Sequence, residues 1–156
     1  MKKFGLEFAS SVRTPMSPNV KLTVGLLSKI VDPTLYKSMI GSLLYLTTSR
    51  LDINYSVGVC AWYQANPKES NVTAIKCIIK YVKSTSNLSV CWRTLTMCWL
   101  GILDADWAGN ADDHKSTSGG CFYLGNNLVS WMSKKQDFIS LSTAKAEYIA
   151  TGSYYT

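Results

Sequence analysis

The sequence predicts an α+β fold in which a helical segment precedes a small sheet, and the sheet is followed by one further helix. Apolar residues recur at helical spacing up to about Ser84, and beyond Asn87 the period drops to two in short runs rich in aromatic and β-branched residues. A hydrophobic fraction of 47% against 17% charged, over 156 residues, belongs to a core-forming globular chain and excludes intrinsic disorder.

Taken in order, residues 1–34 hold Pro15, Pro18 and Pro33, three of the four prolines. Because a residue before proline avoids the helical region, Thr14 to Pro18 reads as an extended connector and the whole segment as a lead-in. Tyr36, Ile40, Leu43 and Leu44 then fall at i, i+4, i+7 and i+8, one face of a helix. A second helix is expected over Asp52–Gln64, stopped before Pro67, and a third over Ser70–Ser84 with Val72, Ile75, Ile79 and Val82 as its apolar stripe. Strands are expected at Leu88–Arg93, Trp99–Asp106, Gly119–Leu124 and Leu128–Met132. Gly125 to Asn127 forms a hairpin turn, since Gly and Asn tolerate positive φ. Ser142 is placed to N-cap a final helix running through Glu147 to Ala150. These boundaries divide the chain into residues 1–34, 35–87 and 88–156.

The net charge of +6 is unevenly spread. Residues 1–100 hold twelve Lys or Arg against four acids, a balance of +8, and residues 101–156 hold four Lys against six acids, a balance of −2. A basic body beside an acidic patch suits a protein that holds a polyanion and a divalent cation, and ordinary surface scatter would look the same. Lys76, Lys80 and Lys83 sharpen the first reading, because they recur at i, i+4 and i+7 about 100° round the helix from the apolar stripe. They form either a phosphate-contacting ridge or a solvated face.

No stretch has the ~20 apolar residues of a membrane span, and Glu7 interrupts any signal-peptide core behind Met1-Lys2-Lys3. The sequence therefore reads as a soluble intracellular chain with no membrane partner. Five scattered cysteines without a CxxC pair, beside a single histidine, are read as reduced, buried thiols and exclude a zinc site of ordinary spacing. Carboxylates are the better candidates for chemistry. If the strand stays extended through Asp106, period two aligns Leu100, Ile102, Asp104 and Asp106, ending an apolar strand in two acids that need solvent or a metal. A strand that simply ends in a polar turn remains the alternative.

Several motifs in order resemble one family. Tyr36-Lys-Ser-Met-Ile-Gly-Ser-Leu-Leu-Tyr-Leu46 and Arg50-Leu-Asp-Ile53 resemble the region after the reverse transcriptase in copia-type (Ty1/copia superfamily) retrotransposon Pol polyproteins. Asp104-Ala-Asp-Trp-Ala-Gly109, Lys115-Ser-Thr-Ser-Gly119, Trp131-Met-Ser-Lys-Lys-Gln136 and Ser142-Thr-Ala-Lys-Ala-Glu-Tyr-Ile-Ala150 resemble the ribonuclease H region of the same polyproteins. Lys3-Phe-Gly5 and Thr14-Pro-Met-Ser-Pro18 look like the end of the polymerase portion, so the resemblance covers nearly the whole chain.

The resemblance implies a helical thumb or connection segment followed by an incomplete RNase H-like mixed sheet with its first helix. It also implies hydrolysis of the RNA strand of an RNA/DNA hybrid with Mg²⁺, Asp104 and Glu147 being the matching catalytic, metal-holding carboxylates. Such chemistry places two Mg²⁺ ions ~4 Å apart among several hard oxygen ligands. Two carboxylates begin that site without completing it. The further acidic ligands of the family and a Tyr-x-Asp-Asp polymerase motif are not among these residues. Other departures are Ile102-Leu103 for Tyr-Ser, Leu51 for Pro, Ser84 for Gly and Lys145 for Glu. Expected partners are an RNA/DNA hybrid or other nucleic acid and the remainder of the Pol polyprotein. Self-association through an exposed edge of the Asp104 strand is also expected, since the family pairs a later strand there. Two other readings remain: a non-catalytic module that grips nucleic acid through the basic helix, and a structural domain without ligand.

Overall fold

A computed structural model describes residues 31–87 and 98–153, together with Ser10, residues 12–17, Leu22 and Lys29. The expected strand at Leu88–Arg93 lies outside these. The chain forms two compact units, residues 1–89 and 90–156.

The first unit is helical. Helix α1 spans Pro33–Thr47, with Asp32 accepting from Thr34 N at 2.9 Å as its N-cap and Pro33 in the first turn, where a missing N–H costs nothing. Its buried face is Tyr36, Met39, Ile40 and Leu43, whereas Leu44, expected inside, is 46% exposed. Met39 takes that place because the contact surface is turned round the helix towards Met39 and away from Leu44. The second expected helix is shorter and split: a 3-10 turn at Leu51–Ile53 leads into α2, Asn54–Ala61, and the chain then turns through residues 62–65. Helix α3, Glu69–Ser84, begins where Asn71 Oδ1 accepts Lys68 N at 2.8 Å. It buries Asn71, Ala74, Ile75, Ile78, Ile79 and Tyr81, a wider face than the expected stripe, and Val72 and Val82 are only half-buried. The helix meets both α1 and α2, so more than one side must be apolar.

Two polar ties fix this packing. Tyr36 OH donates to Cys60 O at 2.7 Å in the core. Arg50 grips Asp52 through Nε and Nη2 at 2.9 and 2.6 Å, and reaches Thr85 O at 3.0 Å and Thr85 Oγ1 at 2.8 Å. Tyr81 OH donates to Asp52 Oδ2 at 2.8 Å, which clasps the 3-10 turn to the end of α3. The Cys60 thiol is pushed up to about 12 by burial, with Cys77 adding to it. Cys60 is buried, Cys77 and Cys121 are half-buried and Cys98 is exposed, so the expectation of buried thiols holds at Cys60 and fails at Cys98, and Cys91 lies outside the described residues.

The second unit is a sheet with a helix. Strands β1 (Trp99–Asp106), β2 (Thr117–Leu124) and β3 (Asn127–Lys135) pair antiparallel in the order β1-β2-β3, and α4 (Thr143–Gly152) packs on β1 and β2. The fold is α+β; its described strands are all antiparallel, without the parallel pair of a mixed sheet, and β1 is an edge among them. Leu124 pairs with Asn127, leaving a two-residue turn in which Gly125 takes φ 60°, a conformation that glycine adopts without a Cβ clash. No helix among the described residues is long and apolar enough to cross a membrane.

Candidate functional site

Asp104 and Asp106 stand on β1, whose register places Asp104 opposite Gly119 and Asp106 opposite Thr117. Alternation puts both acids on one face with Leu100 and Ile102, and all four are exposed. Asp104 Oδ1 accepts Ala105 N at 2.8 Å. The turn that follows is tightly held. Trp107 Nε1 donates to Ser140 O at 2.9 Å, and Ala108, at φ 50°, donates its N–H to Ser116 Oγ at 3.2 Å. A Cβ at Gly109 would collide with the Asp106 carboxylate, so this glycine permits the close approach of the turn to the acid.

The loop back to β2 is built on Asn110, whose Oδ1 accepts Asp112 N at 2.8 Å and whose carbonyl accepts His114 N at 3.0 Å. Asp113 Oδ2 lies 2.6 Å from Lys135 Nζ. Burial works to raise the Asp113 pKa, yet hydrogen bonds from Lys135 and the Lys115 backbone, with the charges of both lysines, hold it below the usual carboxylate value.

Glu147 is on α4, where Ser142 Oγ accepts Lys145 N at 3.3 Å as the expected N-cap. Ala146 and Ala150 are fully buried, and their small side chains let the helix approach the sheet, while Glu147 is exposed. The anchor is Gln136, 5% exposed, whose Nε2 donates to Ser118 Oγ at 3.0 Å and Ala146 O at 2.8 Å, and whose Oε1 accepts from Ser140 Oγ at 3.0 Å. Ser118 pairs with Ala105, so α4 is tied to the sheet face opposite Asp104.

The two carboxylates singled out in the sequence thus ride on touching elements. Their hard oxygens suit Mg²⁺ chemically. Their number does not, because among the described residues no three or more His, Cys, Asp or Glu side chains gather into a group that could hold a metal ion. Lys76 and Lys83 are exposed on α3 and Lys80 is half-buried, a ridge in the first unit. Gln136 and Ser140 escape a sequence reading as positioning residues, since a buried glutamine between a strand and a helix leaves no periodic signal. The only hint is the place of Gln136 at the end of the Trp131–Gln136 motif.

Comparison with known proteins decides the family. The chain is 40% identical over 141 residues, 90% of its length, to the retrovirus-related Pol polyprotein from transposon RE1 of Arabidopsis thaliana. The chain belongs to the copia-type retrotransposon Pol polyproteins. It is 38% identical over 90% of its length to the Pol polyprotein from transposon RE2 of the same plant, and 33% identical over 96% to that from transposon TNT 1-94 of Nicotiana tabacum. This copia-type Pol chain covers 10% of RE1 and of RE2 and 12% of TNT 1-94, about a tenth of the curated relatives it matches. No family model and no solved structure matches it.

Proposed function

We propose that this copia-type Pol chain comes from the reverse transcriptase/ribonuclease H region, with residues 1–34 a lead-in, 35–87 a connection segment and 88–156 part of an RNase H-like domain. Its role there is hydrolysis of the RNA strand of RNA/DNA hybrids, with Asp104 and Glu147 supplying two of the carboxylates for Mg²⁺ and the rest of the Pol polyprotein completing the centre. The observation that supports this is the contact of α4, carrying Glu147, with β1, carrying Asp104; because α4 lies on the face opposite Asp104, the two carboxylates do not share a metal by themselves, and the rest of the polyprotein has to complete the centre. Two carboxylates fall short of a two-metal site, so a polypeptide of these 156 residues is expected not to cleave a hybrid. A Mg²⁺ cleavage assay on a labelled hybrid tests this, and cleavage that disappears in Asp104→Asn would overturn the incompleteness while keeping the residue assignment. Mn²⁺, as a paramagnetic probe, should broaden the amide resonances around Asp104 and Glu147 first. Broadening centred on Asp112 and Asp113 instead would refute the assignment.

A second reading has its own observation: Lys76 and Lys83 are exposed on α3. In that reading the helix contacts phosphates without catalysis, and binding is steeply salt-dependent without base preference.

A further inference from the structure

Four hydrogen bonds tie the lead-in to the helices of the first unit, and they reach both ends of α3. At its C-terminal end Ser84 Oγ donates to Val12 O at 3.1 Å. Tyr63 OH, just past α2, donates to Leu22 O at 2.7 Å, and Leu22 is buried in the core. At the N-terminal end of α3, Glu69 N donates to Lys29 O and Val31 N to Pro67 O, each at 3.2 Å. Through these contacts the lead-in acts as a strap on the helices. It also places a charge: Arg13 is exposed and is pinned on both sides, by Val12 at Ser84 and by Met16, which packs against the core.

Ser84 follows Lys83, so the strap brings Arg13 to the Lys83 end of the basic ridge, a neighbour that spacing along α3 does not reveal. Lys76 to Lys83 cover ~10 Å of the helix, about three rises of ~3.4 Å along one strand of a duplex. The surrounding charge has the same sign: residues 1–89 hold eleven Lys or Arg against four acids, a balance of +7. Of those acids, Asp52 is taken up by Arg50, and Glu69 stands at the opposite end of α3. A guanidinium adds a planar fork of donors that matches phosphate oxygens. We propose that Arg13, carried on the strap, joins Lys76, Lys80 and Lys83 in one surface for the backbone phosphates of an RNA/DNA hybrid. This rests on the reading in which α3 contacts phosphates, and it makes the lead-in part of the binding surface. It is independent of the hydrolytic role of Asp104 and Glu147.

The full chain is titrated against a labelled RNA/DNA hybrid without Mg²⁺, from about 50 to 200 mM salt, and log affinity is read against log salt. Arg13→Gln should flatten the slope by about 0.9, so that the affinity lost across that range shrinks roughly 3.5-fold. Arg13→Lys, which keeps the charge, should restore the parent slope. Lys37→Gln removes an equal charge from an exposed position on α1 and should leave the slope unchanged. Because Arg13 is exposed, amide exchange in α3 should match the parent in every variant. An Arg13→Gln slope equal to the parent's, while replacing Lys76, Lys80 and Lys83 still flattens it, overturns the part of the strap and keeps the α3 ridge. Equal flattening by Lys37→Gln also overturns it, since net charge would then be the cause. A parent chain without salt-dependent binding removes the α3 reading and the role of Arg13 with it.

Discussion

Replacing Gln136 by Glu changes one buried NH₂ to an oxygen at constant shape, so no cavity term enters. Ser140 Oγ can still donate to the new carboxylate, as it does to Oε1 at 3.0 Å, and Ser118 can turn its hydroxyl to donate as well. The Ala146 carbonyl, 2.8 Å from Nε2, instead faces an oxygen that offers no proton. Losing that hydrogen bond costs about 1 kcal/mol, and the unmatched buried acceptors add about 1 to 3, so the second unit should lose about 2 to 4 kcal/mol at pH 7. Since each decade is 1.4 kcal/mol, protection of the β2 and α4 amides against hydrogen exchange should fall roughly 30- to 1,000-fold.

The pH dependence isolates the cause. Burial beside a carbonyl raises the carboxyl pKa in the folded state above its unfolded value of about 4.3. A raised carboxyl pKa means that stability is retained below the unfolded value and lost as pH rises through the folded one. Protection, corrected for intrinsic exchange, should therefore return towards the parent level at pH 4 to 5, where the protonated acid can donate to Ala146 O. Exchange is the assay because the chain has two units, and a single unfolding midpoint would mix them. Protection within threefold of the parent at pH 7, or a loss that acid does not relieve, would refute Gln136 as the anchor of α4.

Three other outcomes follow from particular contacts. The hydrogen bond from Arg50 holds the Asp52 carboxyl low against the opposing effect of burial, helped by the Tyr81 hydroxyl; the stability it contributes is present above the unfolded Asp pKa of about 3.9 and lost as pH falls through the lower folded value. Acid exchange in the first unit should accordingly rise less steeply in Asp52→Asn than in the parent, and equal slopes would show that the clasp carries no stability. Lys145→Glu should stabilise α4 by roughly 0.5 to 1.5 kcal/mol by closing a capping box on Ser142 and reversing a charge at the positive end of the helix dipole; weaker α4 protection in low salt would mean that repulsion with Glu147 dominates. Replacing Lys76, Lys80 and Lys83 by Gln should flatten the log–log salt dependence of hybrid binding by up to ~2 to 3 units, near 0.9 for each phosphate that a lysine no longer neutralises, and an unchanged slope returns the ridge to a solvated face.

Local pattern is enough to place helix α3 to within a residue, β1 at its bounds, the turn at Gly125 and the cap at Ser142, because spacing, turn chemistry and capping are properties of neighbours in sequence. It also carries the family, through motifs that keep their order. It cannot say that α2 ends at Ala61, that Leu44 faces solvent, or how wide a face of α3 is buried, since those depend on which surfaces meet. The contact of α4 with the sheet is equally hidden: Gln136, Ser118 and Ala146 are far apart in the chain, and their hydrogen bonds exist only once β2, β3 and α4 have assembled. Carboxylates that are legible one at a time become a site only when the fold brings their oxygens to one point, and distance through space is not written in spacing along a strand.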